Sequence, residues 1–194
     1  MPKTKEAVRI TNMPISKKLI RTLPSARNLK ASRIFKFLTE NKARYEIVHH
    51  RTVYTAYDKA ATLKLKPNII GKTLVLKMDK LISMVLIPGN KNLDKNKFKR
   101  IANDWQKKKE EKPVKKVDFM SERIMKNKFK GVKIGAIPPF GNLWGFPTFI
   151  DKGLLKNPKV IVNGGDYNFS IKITGAVLKK LIPDLVIGNF SKPR

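Results

Sequence analysis

Forty-three lysines and arginines against fourteen aspartates and glutamates give this 194-residue chain a formal charge of +29 at neutral pH. That imbalance constrains the fold more than any local pattern does. The cations must stay at the surface, so a core has to be built from short uncharged runs between them. Without a partner, the compact state also carries strong self-repulsion. A polyanion relieves that repulsion, and nucleic acid is the commonest one inside a cell. Each phosphate neutralised steepens the log–log salt dependence of binding by ~0.9 for duplex DNA and ~0.7 for single strands. Thermophilic lysine enrichment is a poorer account, because it raises glutamate alongside lysine. The charge predicts a nucleic-acid binder without choosing DNA or RNA.

Several chemistries are excluded at once. There is no cysteine, hence no disulfide, thiol nucleophile or thiolate metal site. His49 and His50 are the only histidines, and on a strand they point to opposite faces, unable to share one metal or serve one base. No metal and no cofactor are expected. Neither a G-x-S-x-G elbow nor an obvious carboxylate pair is present. No apolar run approaches the ~18 residues of a membrane span, and MPKTKEAVRI lacks a signal-peptide core. The expectation is a soluble, cytoplasmic protein with no membrane partner.

Residues 1–30 hold Lys3, Lys5, Arg9, Lys17, Lys18, Arg21, Arg27 and Lys30 against the single acid Glu6. Pro2, Pro14 and Pro24 interrupt any long helix, so the segment reads as an extended basic arm. Residues 31–194 read as one domain. SRIFKFLTENKA has an apolar helical face (Ile34, Phe37, Leu38), and YEIVHH alternates like a strand. TAYDKAATLKL reads as a helix ending before Pro67. GKTLVLK and LISMVLIPG read as a strand pair turning at Asp79, the second strand buried on both faces. DKNKFKRIANDW reads as a basic helix running into KKKEEKPVKK, a solvated or RNA-facing segment that includes Lys107, Lys108 and Lys109. SERIMKNKF has helix chemistry with Ser121 as N-cap. TFID, KVIVN and FSIKIT read as strands, GAVLKKLIP as a helix and DLVIGNF as a last strand. The sum is an α+β fold, a curved, mainly antiparallel mixed sheet with flanking helices.

Two loops are candidates for function, though each is first of all turn chemistry. GAIPPFG (135–141) lacks the ending of a phosphate-binding loop, but its glycines and paired prolines make a stiff segment suited to a pocket mouth. NGGDYNFS (163–170) joins two strands through Gly-Gly-Asp.

Taken in order, these segments resemble the YbaK/prolyl-tRNA-synthetase-associated domain family, whose members hydrolyse mischarged aminoacyl-tRNA. The likeness runs through FKFLTENKARYEIVHH, HRTVYTAYDKAA, GKTLVLK, LIPGNKNLDKNKF, KIGAIPPFG and KVIVNGGDYNFSIKIT, roughly residues 31–185. It implies a curved sheet around a small pocket for the aminoacyl group and terminal adenosine. The family's functional lysine falls on Lys72, and its pocket aromatic on Tyr57 with Thr55 beside it. Its loop falls on Gly135, Ala136, Ile137, Pro138 and Pro139, and its late turn on Gly164, Gly165 and Asp166, followed by Ser170. Ala136 and Pro138 depart from the family's Gly-Gly-x-Ser-Pro pattern, the proline removing an amide donor from the loop.

Two functions follow from the resemblance and the charge. One is an aminoacyl-tRNA deacylase that takes the tRNA acceptor end as substrate. The other is a non-catalytic ribosomal or ribosome-associated protein that uses the same fold and its basic arm to bind rRNA.

Overall fold

The computed structural model describes residues 31–194. The basic arm 1–30, with Lys3, Lys5, Arg9, Lys17, Lys18, Arg21 and Arg27, lies outside the described residues.

The element order is α1 (Ala31–Glu40), β1 (Tyr45–His49), α2 (Ala56–Leu63), β2 (Gly71–Met78), β3 (Leu81–Pro88), β4 (Lys91–Leu93), α3 (Lys95–Lys108) and β5 (Val117–Phe119). It continues with α4 (Glu122–Lys128), β6 (Thr148–Asp151), α5 (Lys152–Leu155), β7 (Val160–Asn163), β8 (Phe169–Ile173), α6 (Gly175–Leu181), β9 (Val186–Gly188) and β10 (Ser191–Pro193). The α+β class and a mixed sheet with flanking helices are as the sequence predicts. The strands are shared among three sheets, ordered β5-β2-β3-β6-β9, β1-β8-β7 and β10-β4.

The β2–β3 hairpin is the spine. Its partners run antiparallel from Gly71 opposite Pro88 to Met78 opposite Leu81. Asp79 takes a positive φ of 53° at the turn, a conformation aspartate tolerates better than most residues. Its carboxylate accepts the Lys115 and Lys116 amides at 2.8 and 2.9 Å, fastening the end of the basic segment to the hairpin. Those amides hold the Asp79 carboxyl below its usual range. β6 joins β3 in parallel and β9 joins β6 in parallel, which makes the five-stranded sheet mixed.

β3 is buried on both faces, as its apolar run predicts. Met84 and Leu86 point to one side, and Val85 and Ile87 to the other. On the first side, Ile34, Phe35 and Leu38 of α1 and Leu178 and Leu181 of α6 pack with Val162, Ile171 and Ile150. On the second, Phe98 of α3 sits edge-on to Phe149 at 5.0 Å and Phe190 at 5.5 Å. α3 starts where Asp94 caps the amides of Asn96 and Lys97 at 3.1 and 3.0 Å. It runs on to Lys108, so Lys107 and Lys108 form its exposed last turn, and Lys109 lies 4.9 Å above the Trp105 ring.

Three details differ from the sequence reading. Ser121 stands at the N-cap position of α4 but its side chain caps nothing. The short elements β4, β5, α5 and β10 are additional to those predicted. DLVIGNF is not the last strand, because β10 follows and pairs with β4. Among the described residues, no helix is long and apolar enough to cross a membrane.

Candidate active site

Ile70, just ahead of β2, forms a parallel bridge with Ile161 of β7. That bridge, with the packing of Leu86 and Ile150 on Val162 and Ile171, ties the two larger sheets together and brings Lys72 of β2 toward Asn163 at the end of β7. A cavity of about 380 Å³ opens there, lined by Thr55, Tyr57, Lys59, Lys72, Gly135, Ala136, Asn163, Asp166 and Arg194 among others. Residues from six separated stretches of sequence thus line one cavity.

Lys72 is half-buried, and its ammonium donates to the Lys91 carbonyl at 2.8 Å. Burial, and secondarily the Arg194 charge, lowers its pKa from the ordinary lysine value. Arg194 lies 5.0 Å from the centre of the exposed Tyr57 ring, within cation–π range. Thr55 lines the cavity, but its hydroxyl is engaged as the N-cap of α2, accepting the Asp58 amide at 3.1 Å and donating to the Asp58 carboxylate at 2.7 Å. Asp166 is half-buried and accepts the Tyr167 amide at 2.6 Å.

The two candidate loops are laced together. Lys133 donates to the Gly165 carbonyl and Gly165 to the Ala136 carbonyl, both at 3.0 Å. Asn163 donates to the carbonyls of Gly135 and Ile137 at 3.3 Å each. Gly135 has φ +89° and Gly165 φ +106°, the left-handed region that glycine enters without penalty. At Gly164 the requirement is space, since a β-carbon there would stand 2.3 Å from the Phe169 ring.

Not every expected residue reaches the cavity. Ile137, Pro138 and Pro139 are buried behind Gly135 and Ala136 and do not line it. The proline's missing amide is therefore not missing from the cavity wall. Gly164 and Gly165 shape the turn without lining the cavity. Ser170 is fully buried, and its hydroxyl meets the His50 Nε2 at 2.9 Å. His50 Nδ1 in turn lies 2.9 Å from the Arg51 carbonyl. Burial lowers the His50 pKa, and neither member of that pair faces the cavity.

Sequence reasoning missed Lys59. It is only 6% exposed, and its ammonium donates to the Asn163 side chain at 2.6 Å. None of the ion pairs among the described residues involves it. Burial pushes its pKa down to about 8. In AYDKAATL a lysine reads as the solvated face of a helix, and only the docking of α2 against β7 shows otherwise.

The unfolded chain holds the Lys59 proton up to the ordinary lysine pKa of 10.5, while the folded chain releases it near 8. Below about pH 8 the burial penalty is fully present, and it disappears as pH rises toward 10.5. The shift corresponds to roughly 3 kcal/mol, offset by about 1 kcal/mol for the hydrogen bond to Asn163. Lys59→Met is expected to stabilise the fold by on the order of 1–2 kcal/mol at pH 7, and not at pH 10.5. Urea denaturation at the two pH values checks this, and a variant less stable than wild type at pH 7 would contradict it.

The strand β4 separates this cavity from a second one of about 440 Å³, with Asn92 facing the first and Lys91 the second. Lys91, Lys152 and Lys156 line the second cleft. Asp151 also borders it, but its carboxylate is taken up by the amides of Gly153, Phe190 and Ser191 at 2.8, 2.9 and 2.8 Å. Among the described residues, no three acidic or histidine side chains gather where a metal ion could be held.

Residues 50–181 match the family described as the aminoacyl-tRNA editing domain. No curated protein matches the chain by sequence. Among solved structures, hypothetical protein APE2540 is similar at 22% identity and a TM-score of 0.70, over 82% of this chain and 99% of its own. A proposed trans-editing enzyme for prolyl tRNA synthetase is similar at 20% identity and a TM-score of 0.66, over 88% and 98%. At these identities the structural likeness carries the fold alone.

Proposed function

This chain belongs to the aminoacyl-tRNA editing domain family, and from that premise we propose that it is a deacylase that hydrolyses mischarged aminoacyl-tRNA in trans. The observation that carries the reading is the convergence of Lys72, Tyr57, Gly135, Ala136 and Asp166 on one cavity inside the matched segment. A cavity of about 380 Å³ suits an aminoacyl group with its terminal ribose.

The bond to be cut joins the amino-acid carbonyl carbon to a ribose oxygen at the tRNA 3′ end. Water adds to that carbon, the bond to the ribose oxygen breaks, and the ribose recovers a hydroxyl proton as the free amino acid leaves. The cavity wall offers no thiol and no histidine, so direct attack by water, assisted by the neighbouring ribose hydroxyl, fits better than a covalent enzyme intermediate. Lys72 holds the terminal phosphate or ribose with its ammonium. Asp166, the one side-chain carboxylate lining the cavity among the described residues, receives the α-ammonium of the aminoacyl group. Positioning of this kind supplies rate without a titrating nucleophile. Cavity size and lining then select the amino acid. Single-turnover hydrolysis of a panel of aminoacyl-tRNAs tests the reading. At least one mischarged species should be cleared well above the uncatalysed rate, and a uniformly background rate would refute it.

RNA contact belongs to the same proposal, with domain 31–194 taking the acceptor end and the arm 1–30 extending the grip. The lysines of the second cleft and of the α3 end, Lys107, Lys108 and Lys109, supply further phosphate contacts. Removing residues 1–30 should flatten the log–log salt slope of RNA binding by ~0.7 for every phosphate the arm neutralises. Anisotropy titrations of a tRNA across a salt series measure it, and identical slopes for the full and shortened chains would remove the arm from the interface.

The charge of +29 favours a second reading, a protein held on rRNA that keeps the fold without the reaction. Co-sedimentation with ribosomal subunits after a high-salt wash, together with no deacylation, would select it.

A further inference from the structure

Among the described residues three cations line the cavity, and two of them have evident work. Lys72 is half-buried, and Arg194 is exposed beside Tyr57. Both are placed to meet the phosphate and ribose of an incoming 3′ end. Lys59 differs in kind. It is the buried cation of the three, donates only to Asn163, and pairs with no carboxylate among the described residues. An ammonium carries three donors, so two of its N–H groups lack an acceptor among the described residues, on a side chain only 6% exposed. A buried charge left in that condition is expensive unless something completes its shell.

The cavity's other charges narrow what that something is. Asp166 is the single lining side-chain carboxylate among the described residues, and its proposed partner is the substrate's α-ammonium. The phosphate and ribose side is served by Lys72 and Arg194. The part of the ligand that remains is the amino-acid side chain. Resting on the editing reading above, we propose that Lys59 is a specificity-determining residue, and that the cavity takes an aminoacyl group whose side chain ends in a carboxylate, aspartyl or glutamyl. An acidic side chain brings two acceptor oxygens and the opposite charge to the ammonium. An amide side chain of the same shape brings one acceptor and a mismatched pair of donors, and an aliphatic one brings neither. Asn163 fixes the geometry, because its oxygen faces Lys59 while its nitrogen grips the Gly135 and Ile137 carbonyls. The ammonium therefore sits against a wall that the loop itself holds still.

The test uses amide-linked, non-hydrolysable 3′-aminoacylamino-3′-deoxyadenosines carrying Asp, Glu, Asn, Gln and Leu, titrated by calorimetry into the full chain. An acidic analogue should bind about tenfold or more tightly than its own amide, the range of a hydrogen bond to a charged partner. That preference should vanish in Lys59→Met, which keeps the unbranched stem without the ammonium, and in Lys59→Gln, which keeps a donor but no charge. Equal binding of acid, amide and leucyl analogues would overturn the inference and leave the editing reading standing. A preference that survives both substitutions would overturn the role of Lys59. If no analogue binds, the editing reading itself fails and this inference with it.

Discussion

Lys72→Ala should leave a folded protein that has lost about 10²–10³-fold in the rate of aminoacyl-ester hydrolysis, the usual effect of deleting one preorganised electrostatic group. The fold should survive because Lys72 is only half-buried at the start of β2, and truncating it removes a donor without stranding one. The Lys91 carbonyl that it served borders an open cleft and can take water instead. The rate should fall because Arg194, the other cation on the phosphate and ribose side, would be left to hold it alone. Lys59 is turned away to Asn163, and Arg194 stands over the exposed Tyr57 ring at the cavity's rim. Wild-type activity should also decline with rising pH earlier than an ordinary lysine would dictate, since burial and Arg194 depress the Lys72 pKa. The protonated form is the one that holds phosphate, so activity is retained below that lowered pKa and lost above it. Single-turnover rates and a thermal melt on the same preparation decide the matter. An unchanged rate in a folded variant would remove Lys72 from the machinery.

The parts of this fold written in local chemistry were legible in the sequence. The β2–β3 hairpin announces itself through two apolar runs around Asp79, and α3 through Asp94 ahead of a helical pattern. The β7–β8 hairpin follows from its Gly-Gly-Asp turn. What could not be read depends on distant partners. KNL and SKP carry no alternating pattern, and they become β4 and β10 only because each finds the other across the fold. Paired prolines read as a stiff pocket mouth, yet Pro138 and Pro139 are buried behind it, since a proline lacks the N–H that burial would orphan. Of the candidate site, Lys72, Tyr57 and Asp166 were named from resemblance and do share the cavity. Lys59 was not named, because its burial is decided by the end of β7, about a hundred residues further along the chain.

Asp151 is where distant pairing and the site meet, and its removal should have the largest effect on stability. It closes β6, is 1% exposed, and divides its two oxygens among three backbone donors. Oδ1 accepts the Gly153 amide and caps α5. Oδ2 accepts the amides of Phe190 and Ser191. Those two bonds set the entry of β10, which pairs with β4 from Ser191 opposite Leu93 to Pro193 opposite Lys91, and the next residue is Arg194, over Tyr57. Asp151→Ala orphans three amides at once. At about 1–3 kcal/mol for each buried group left unpaired, with partial rehydration as the segment loosens, the loss should be about 3–5 kcal/mol. Asp151→Asn keeps one accepting oxygen but turns an NH₂ toward the remaining amides, so its loss should be intermediate. Urea denaturation ranks the three proteins. Hydrogen exchange adds the decisive detail, because the Phe190 and Ser191 amides should lose protection before those of β2 and β3. The same loosening frees Arg194 from Tyr57, so the Asn variant should bind aminoacyl-tRNA more weakly while its single-turnover rate at saturation stays near wild type. A destabilisation below about 0.5 kcal/mol in Asp151→Ala, within the range of an ordinary surface change, would mean that β10 is held by its pairing with β4 alone.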